Sequence, residues 1–153
     1  MRIQIENRQR KQKIRKRPLR KVARRILDIC GKPDAQLSIL ILDNAAIQAL
    51  NRDFLQRDRP TNVISFAMQE GEGTGIQPLL LGDVVISAER TASDAAAAQI
   101  PFEHELWFLL VHGILHLLGY DHERGSVQQA RTMEQRERDI FAQLVREFPL
   151  APD

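Results

Sequence analysis

Three of the chain's four histidines fall within eleven residues, in the stretch HGILHLLGYDH from His112 to His122. His112 and His116 stand four positions apart in a segment of helical pattern, so both imidazoles leave one face, one turn apart. That spacing lets two ring nitrogens reach one ion at about 2.0–2.1 Å each. Gly119 takes a left-handed conformation without steric cost, so the helix can stop and turn there. Tyr120 and Asp121 carry the chain back, and His122 supplies a third nitrogen. Three protein ligands leave one position open for water or substrate, the catalytic rather than the structural form of a zinc site. Divalent nickel or copper suits the same donors, because affinity alone does not select zinc.

The spacing H-x-x-x-H-x-x-G-x-x-H equals that of the metzincin metalloproteases. Those enzymes carry a glutamate directly after the first histidine, as general base. Here that position is Gly113, which cannot move a proton. In a metal hydrolase of this kind the ion itself acidifies the water, or a base comes from elsewhere. Asp121 and Glu123 flank His122, placed either to serve as that base or to orient the imidazole. His104, eight positions before His112, lies about 80° away around the helix. It reads as a surface residue or a support for a ligand. Trp107, Phe108 and Leu110 read as core, and Cys30 as an inert buried thiol.

The pattern around these residues predicts about four strands and five helices. Met1 to Glu6 alternates as a short strand, and residues 7–17 read as a polar, basic loop or arm. Pro18 suits the first turn of a helix that buries Leu19, Val22, Ala23, Ile26 and Leu27 and stops at Gly31. Leu37 to Leu42 is a buried strand, and Asp43 caps the next helix, whose apolar face is Ile47, Leu50, Phe54 and Leu55. Residues 56–62 form a turn before a strand from Val63 to Met68, and residues 70–78 form a loop. A strand follows from Leu79 to Ser87, with Gly82 marking a bulge or a late start. An alanine-rich helix covers Ala88 to Gln99. The histidine helix runs from Pro101 to Leu118, with Gly119 ending it. Ser126 caps a last helix that runs to about Phe148, with Met133, Ile140, Phe141, Leu144 and Val145 apolar. The order β, α, β, α, β, β, α, α, α argues for α+β, with a small mixed sheet packed with helices. All 153 residues read as a single compact domain.

Composition narrows the functional classes. With 43% hydrophobic and 27% charged residues the chain is globular. No apolar run reaches the roughly 18 residues of a membrane span. The basic N-terminus lacks the apolar stretch of a secretory signal. A single cysteine excludes an internal disulfide and fits a reducing cytoplasm. Residues 1–25 hold twelve Lys/Arg against the single acid Glu6, a net of +11. The remaining ten Lys/Arg and nineteen acids leave −9 on the rest of the chain. A basic arm on an acidic body points to a polyanionic partner, since basic stretches bind phosphate without sequence information. Such an arm is expected to be mobile until that partner arrives.

The histidine stretch resembles the signature of the YbeY family of bacterial single-strand endoribonucleases. LNRDFLQRDRPTNVISF resembles a second family segment, with Thr61, Asn62, Val63, Ser65 and Phe66 at matching positions, and LGDVVIS resembles the strand that follows. These stretches occur in family order and cover essentially the whole chain. The resemblance implies a compact α+β fold with a zincin-like His-x3-His helix. It implies one divalent metal, zinc or nickel, on His112, His116 and His122. It further implies hydrolysis of single-stranded RNA, a role at the 3′ end of small-subunit ribosomal RNA and in ribosome quality control, and a cytoplasmic place beside the ribosomal small subunit. One position departs. Leu55 stands where the family commonly has an arginine, so Arg52 and Arg57 are the candidates to hold the scissile phosphate, a task suited to a planar bidentate donor. Arg57 and Asp121 are the candidate catalytic side chains beside the metal.

Two other classes stand beside this reading. A metalloprotease shares the histidine spacing but has the glutamate that Gly113 lacks. A non-catalytic assembly factor binds ribosomal RNA and uses the metal only structurally.

Overall fold

The computed structural model describes residues 3–55, 61–67, 80–120 and 127–150. Their order is β1 (Ile3–Asn7), α1 (Lys16–Ile29), β2 (Gln36–Leu42), α2 (Asn44–Leu55), β3 (Val63–Ala67), β4 (Leu80–Ser87), α3 (Ala88–Ala98), α4 (Phe102–Leu117) and α5 (Val127–Glu147). The fold is α+β. The four strands lie in the order β1-β2-β4-β3. β1 and β4 run parallel to β2, whereas β3 pairs antiparallel with β4 and forms an edge.

The centre of the sheet explains the apolar run of β2. Ile3 and Ile5 of β1, Leu37, Ile39 and Ile41 of β2, and Val84 and Ile86 of β4 join one core with α1, α4 and α5. Leu42, Val85 and Ile64 join a smaller cluster with Ile47 of α2 on the other face. A strand covered on both faces is apolar at successive positions rather than alternating. Helix α4 is enclosed in the same way, and eight of its residues from Leu106 to Leu115 are buried.

Local signals end and bend these elements where the sequence places them. The Asp43 carboxylate accepts from the Ala46 backbone N–H at 2.8 Å and caps α2. Ser87 caps α3 by accepting from Arg90 N–H at 3.1 Å. At the end of α4, Gly119 N–H donates to the His116 carbonyl and Tyr120 N–H to the Leu115 carbonyl, each at 3.0 Å. That is a Schellman turn, and it requires the positive φ of 102° at Gly119. Gly82 marks a bulge: Gln36 pairs with Leu80 and Leu37 with Gly82, so Leu81 is the extra residue. A Cβ at Gly82 would fall on the Phe66 carbonyl of the neighbouring strand.

Two expectations give way. Phe54 and Leu55 are 68% and 43% exposed, and Asn51 is buried in their place on α2. The apolar contact of α2 with the small cluster is made by Ile47, Ala46 and Leu50, and Phe54 reaches only the Phe66 ring of β3, centroid to centroid at 6.1 Å, so the last turn stays largely exposed. The basic segment is also seated on the body. Arg8 N–H donates to the Ile41 carbonyl at 2.9 Å, and Lys11 pairs with Glu89 at 3.1 Å. Buried Gln9 supplies the reason. Its amide donates to Asn7 Oδ1 and to the Gln12 carbonyl, both at 2.8 Å, and accepts from Gln12 N–H at 2.9 Å. Its side chain thus satisfies backbone groups that a loop leaves open. The loop at 70–78, Met68, most of the turn at 56–62 and the Ser126 cap lie outside the described residues.

Candidate active site

α4 crosses the sheet beside β3 and β4, and its closeness to them sets the height of the site. A Cβ added at Gly113 would lie 2.7 Å from Val84 Cγ1 and 3.2 Å from Ser65 Oγ. Glycine removes that obstacle and lets the Ser65 hydroxyl donate to the Gly113 carbonyl at 3.0 Å. The helix is pinned to the edge strand one residue after the first of its two histidines. The same contact answers the question of the missing glutamate: position 113 faces the sheet, where no long side chain fits.

On either side of Gly113, His112 and His116 turn to a cleft of about 340 Å³. Its other walls are Asn51 and Leu55 at the end of α2, Thr61, and Val63, Ser65 and Ala67 along β3. Leu55, at the position where the resemblance expects an arginine, therefore lines the cleft with an apolar side chain.

The two imidazoles converge. His112 Nε2 and His116 Nε2 are 3.1 Å apart, and the ring centroids are 4.6 Å apart. Two nitrogens bound to one tetrahedral ion at 2.0–2.1 Å lie about 3.3–3.4 Å apart. The pair fits a shared cation after an opening of a few tenths of an ångström. The far side of the His112 ring is also defined, because Nδ1 lies 2.7 Å from Glu137 Oε1 on α5. The Glu137 side chain is 7% exposed and that of His112 21%. Sequence reasoning missed Glu137. Its signal was an acid in a stripe of core residues, four positions after Met133 and three before Ile140.

The remaining predicted site residues are distributed differently. His122, Asp121, Glu123 and Arg57 lie outside the described residues, which by themselves hold no group of three His, Cys, Asp or Glu placed to bind a metal. Arg52 is on the last turn of α2, where its Nε donates to the exposed Asp53 carboxylate at 3.2 Å. His104 packs against Trp107 and Phe141, away from the cleft. Cys30 is half-buried, and burial pushes its thiol above the ordinary value against the opposing effect of Arg136.

Fold and cleft together define an α+β protein of the histidine-site type, in which a buried helix presents imidazoles to a groove at the sheet edge. Comparison with known proteins narrows this class. Residues 4–145 match the family model described as Endoribonuclease YbeY, and the chain belongs to that family. The protein named Endoribonuclease YbeY from Syntrophotalea carbinolica is 62% identical over 146 residues, covering 95% of this chain and 97% of its own. The protein of the same name from Geobacter metallireducens is 52% identical, covering 96% and 98%. The solution structure of a Thermotoga maritima protein superposes with a TM-score of 0.62 at 22% identity, covering 99% of this chain and 97% of its own, and shares the fold.

Proposed function

We propose that the chain is a metal-dependent endoribonuclease that hydrolyses phosphodiester bonds in single-stranded RNA. In this reading it acts in the cytoplasm on small-subunit ribosomal RNA, in maturation of its 3′ end and in ribosome quality control. The observation that carries the reading is the pair of Nε2 atoms 3.1 Å apart at the cleft, in a chain whose close relatives are named endoribonucleases. His112 and His116 would hold one divalent ion, zinc or nickel, with His122, three residues after Gly119 in sequence, as third ligand. Bound there, the ion supplies Lewis-acid polarisation of a phosphoryl oxygen and acidification of water.

The chain's own residues then do the remaining work. Arg52 and Arg57 hold the phosphate. For Arg52 this means leaving an exposed ion pair with Asp53, which costs little. Asp121 is the candidate to accept the proton, since Gly113 has no side chain and no room for one. That lack of room also weighs against a metalloprotease of the glutamate-dependent kind. Exposed Lys16, Arg17, Lys21 and Arg24 of α1 supply positive charge for the RNA backbone. Replacing these four with glutamine is expected to weaken RNA binding and reduce its logarithmic salt slope by up to about 3. An unchanged slope removes α1 from the interface.

The deciding experiment measures metal content and cleavage of single-stranded RNA side by side for wild type and His116→Ala. About one metal per chain with cleavage, both lost in the variant, supports the proposal. Metal present with RNA bound but uncut replaces it with the assembly-factor reading.

A further inference from the structure

We propose that Glu137 is a positioning residue for His112: it holds the ring proton on Nδ1 and thereby presents Nε2 to the cleft as a lone pair. The inference rests on the metal reading above and adds to it a residue on a different helix.

Glu137 lies apart from the other acids of α5. Glu134, Asp139 and Glu147 of α5 are on its exposed side, but Glu137 shares the buried stripe with Met133, Ile140 and Leu144. A leucine there would continue the stripe without the desolvation that a carboxylate brings. An acid in such a place needs a partner, and His112 Nδ1 stands 2.7 Å from Glu137 Oε1. That is the short distance of a charge-assisted hydrogen bond.

The consequence follows from proton counting. With the Glu137 carboxylate as the acceptor of this contact, the nitrogen facing it carries the hydrogen. A neutral imidazole has one N–H, and with that hydrogen on Nδ1 the other nitrogen is a lone pair. Nε2 of His112 points at Nε2 of His116, 3.1 Å away. Glu137 therefore fixes both the ring's rotation and the tautomer that a metal requires. It touches the side of the ring away from the ion and is not itself a ligand. Because α5 packs on α4 through the core, the orientation of His112 is set before any metal arrives.

The test uses Glu137→Leu and Glu137→Gln in the full chain. The first readout is nitrogen NMR of the histidine rings in metal-free protein at about pH 8, where free imidazole is neutral. The expected result is Nδ1–H at His112 in wild type, retained in Glu137→Gln, whose amide oxygen still accepts, and lost in Glu137→Leu. The second readout is zinc affinity by chelator competition. Glu137→Leu is expected to bind about 10–100-fold more weakly, and Glu137→Gln to lie between it and wild type. The third is thermal melting of the metal-free proteins, where Glu137→Leu is expected to melt no lower than wild type. A structural role predicts the opposite pairing, lower melting with unchanged zinc affinity, and overturns the proposal. An Nε2–H tautomer at His112 in wild type also overturns it, and that spectrum needs no variant to fold. If wild type takes up no zinc, the metal reading fails by itself and the ring spectrum still decides whether Glu137 positions His112.

Discussion

At its N-terminal end α4 carries His104, whose ring lies 5.2 Å from Trp107 and 6.1 Å from Phe141. Trp107 is itself backed by Phe148 at 6.3 Å. Eight residues on, about 12 Å along the axis, His112 and His116 meet each other, a buried carboxylate and a cleft. The same residue type on the same helix has an aromatic neighbourhood at one end and a polar, convergent one at the other. Function follows the neighbours. An imidazole edge against aromatic rings contributes packing, whereas two ring nitrogens converging at an open groove can share a cation.

The largest effect is expected when one imidazole is removed from each end of α4. His116→Ala is expected to lower RNA cleavage at least about a hundredfold, the scale of losing a principal electrostatic element of a catalytic site, and to leave the far-ultraviolet dichroism unchanged. His104→Ala is expected to leave cleavage within about twofold and to cost about 1 kcal/mol of stability, the scale of an aromatic pair. Cleavage lost equally in both variants would mean that the two ends do not differ as argued.

Between the two ends, Gly113 tests what sets the height of the cleft. Gly113→Ala puts a methyl 2.7 Å from Val84 Cγ1. Helix propensity alone favours alanine by about 1 kcal/mol, so an exposed glycine would be stabilised by this change. Overpacking against Val84 and Ser65 is expected to win, with a net loss of about 1–3 kcal/mol in denaturant unfolding. A gain in stability would show that α4 is not pinned to β3 by this approach. Ser65→Ala, which removes only the hydroxyl bond to the Gly113 carbonyl, is expected to cost less, about 1 kcal/mol.

What the sequence made legible follows the range over which each signal acts. Capping by Asp43, the turn at Gly119 and the bulge at Gly82 are properties of a few neighbouring residues, and so is the shared face of His112 and His116. Element order was readable for the same reason. The insertion of β4 between β2 and β3 was not, because a strand's partner is chosen across the core. Phe54 and Leu55 have the spacing of a buried face, yet Phe54 meets the edge strand only ring to ring at Phe66 and Leu55 borders the cleft, so both stay exposed. Glu137 is the sharpest case. Its place in an apolar stripe marked it as unusual, but only the packing of α5 on α4 gives it His112, twenty-five residues earlier in the chain. The role of Gly113 was half legible: its spacing exposed the absent glutamate, and the reason lies in Val84 and Ser65.

α5 repeats the contrast in its carboxylates, and this gives the mildest test. Ten residues after Glu137, Glu147 takes a bidentate contact from Arg25 of α1 at 2.7 and 3.1 Å, and Gln143 donates to it at 2.8 Å. The Arg25 hydrogen bond first, then that of Gln143, holds the Glu147 carboxyl down to about 2 from its ordinary 4.5. A group depressed on folding contributes stability that is present above its unfolded value and lost as pH falls through its folded one. The advantage of wild type over Glu147→Gln is therefore expected to be constant above about pH 4.5, to shrink between there and about pH 2, and to vanish below. Side chains about one-third exposed are screened by solvent and salt, so the difference is expected to be small and to fall further at 1 M salt. Glu137→Leu makes the opposite kind of change, removing a buried charge. Its effect belongs to the cleft and is expected to resist the same salt. Equal salt sensitivity of the two variants would erase the distinction between a carboxylate that latches the fold and one that sets an imidazole.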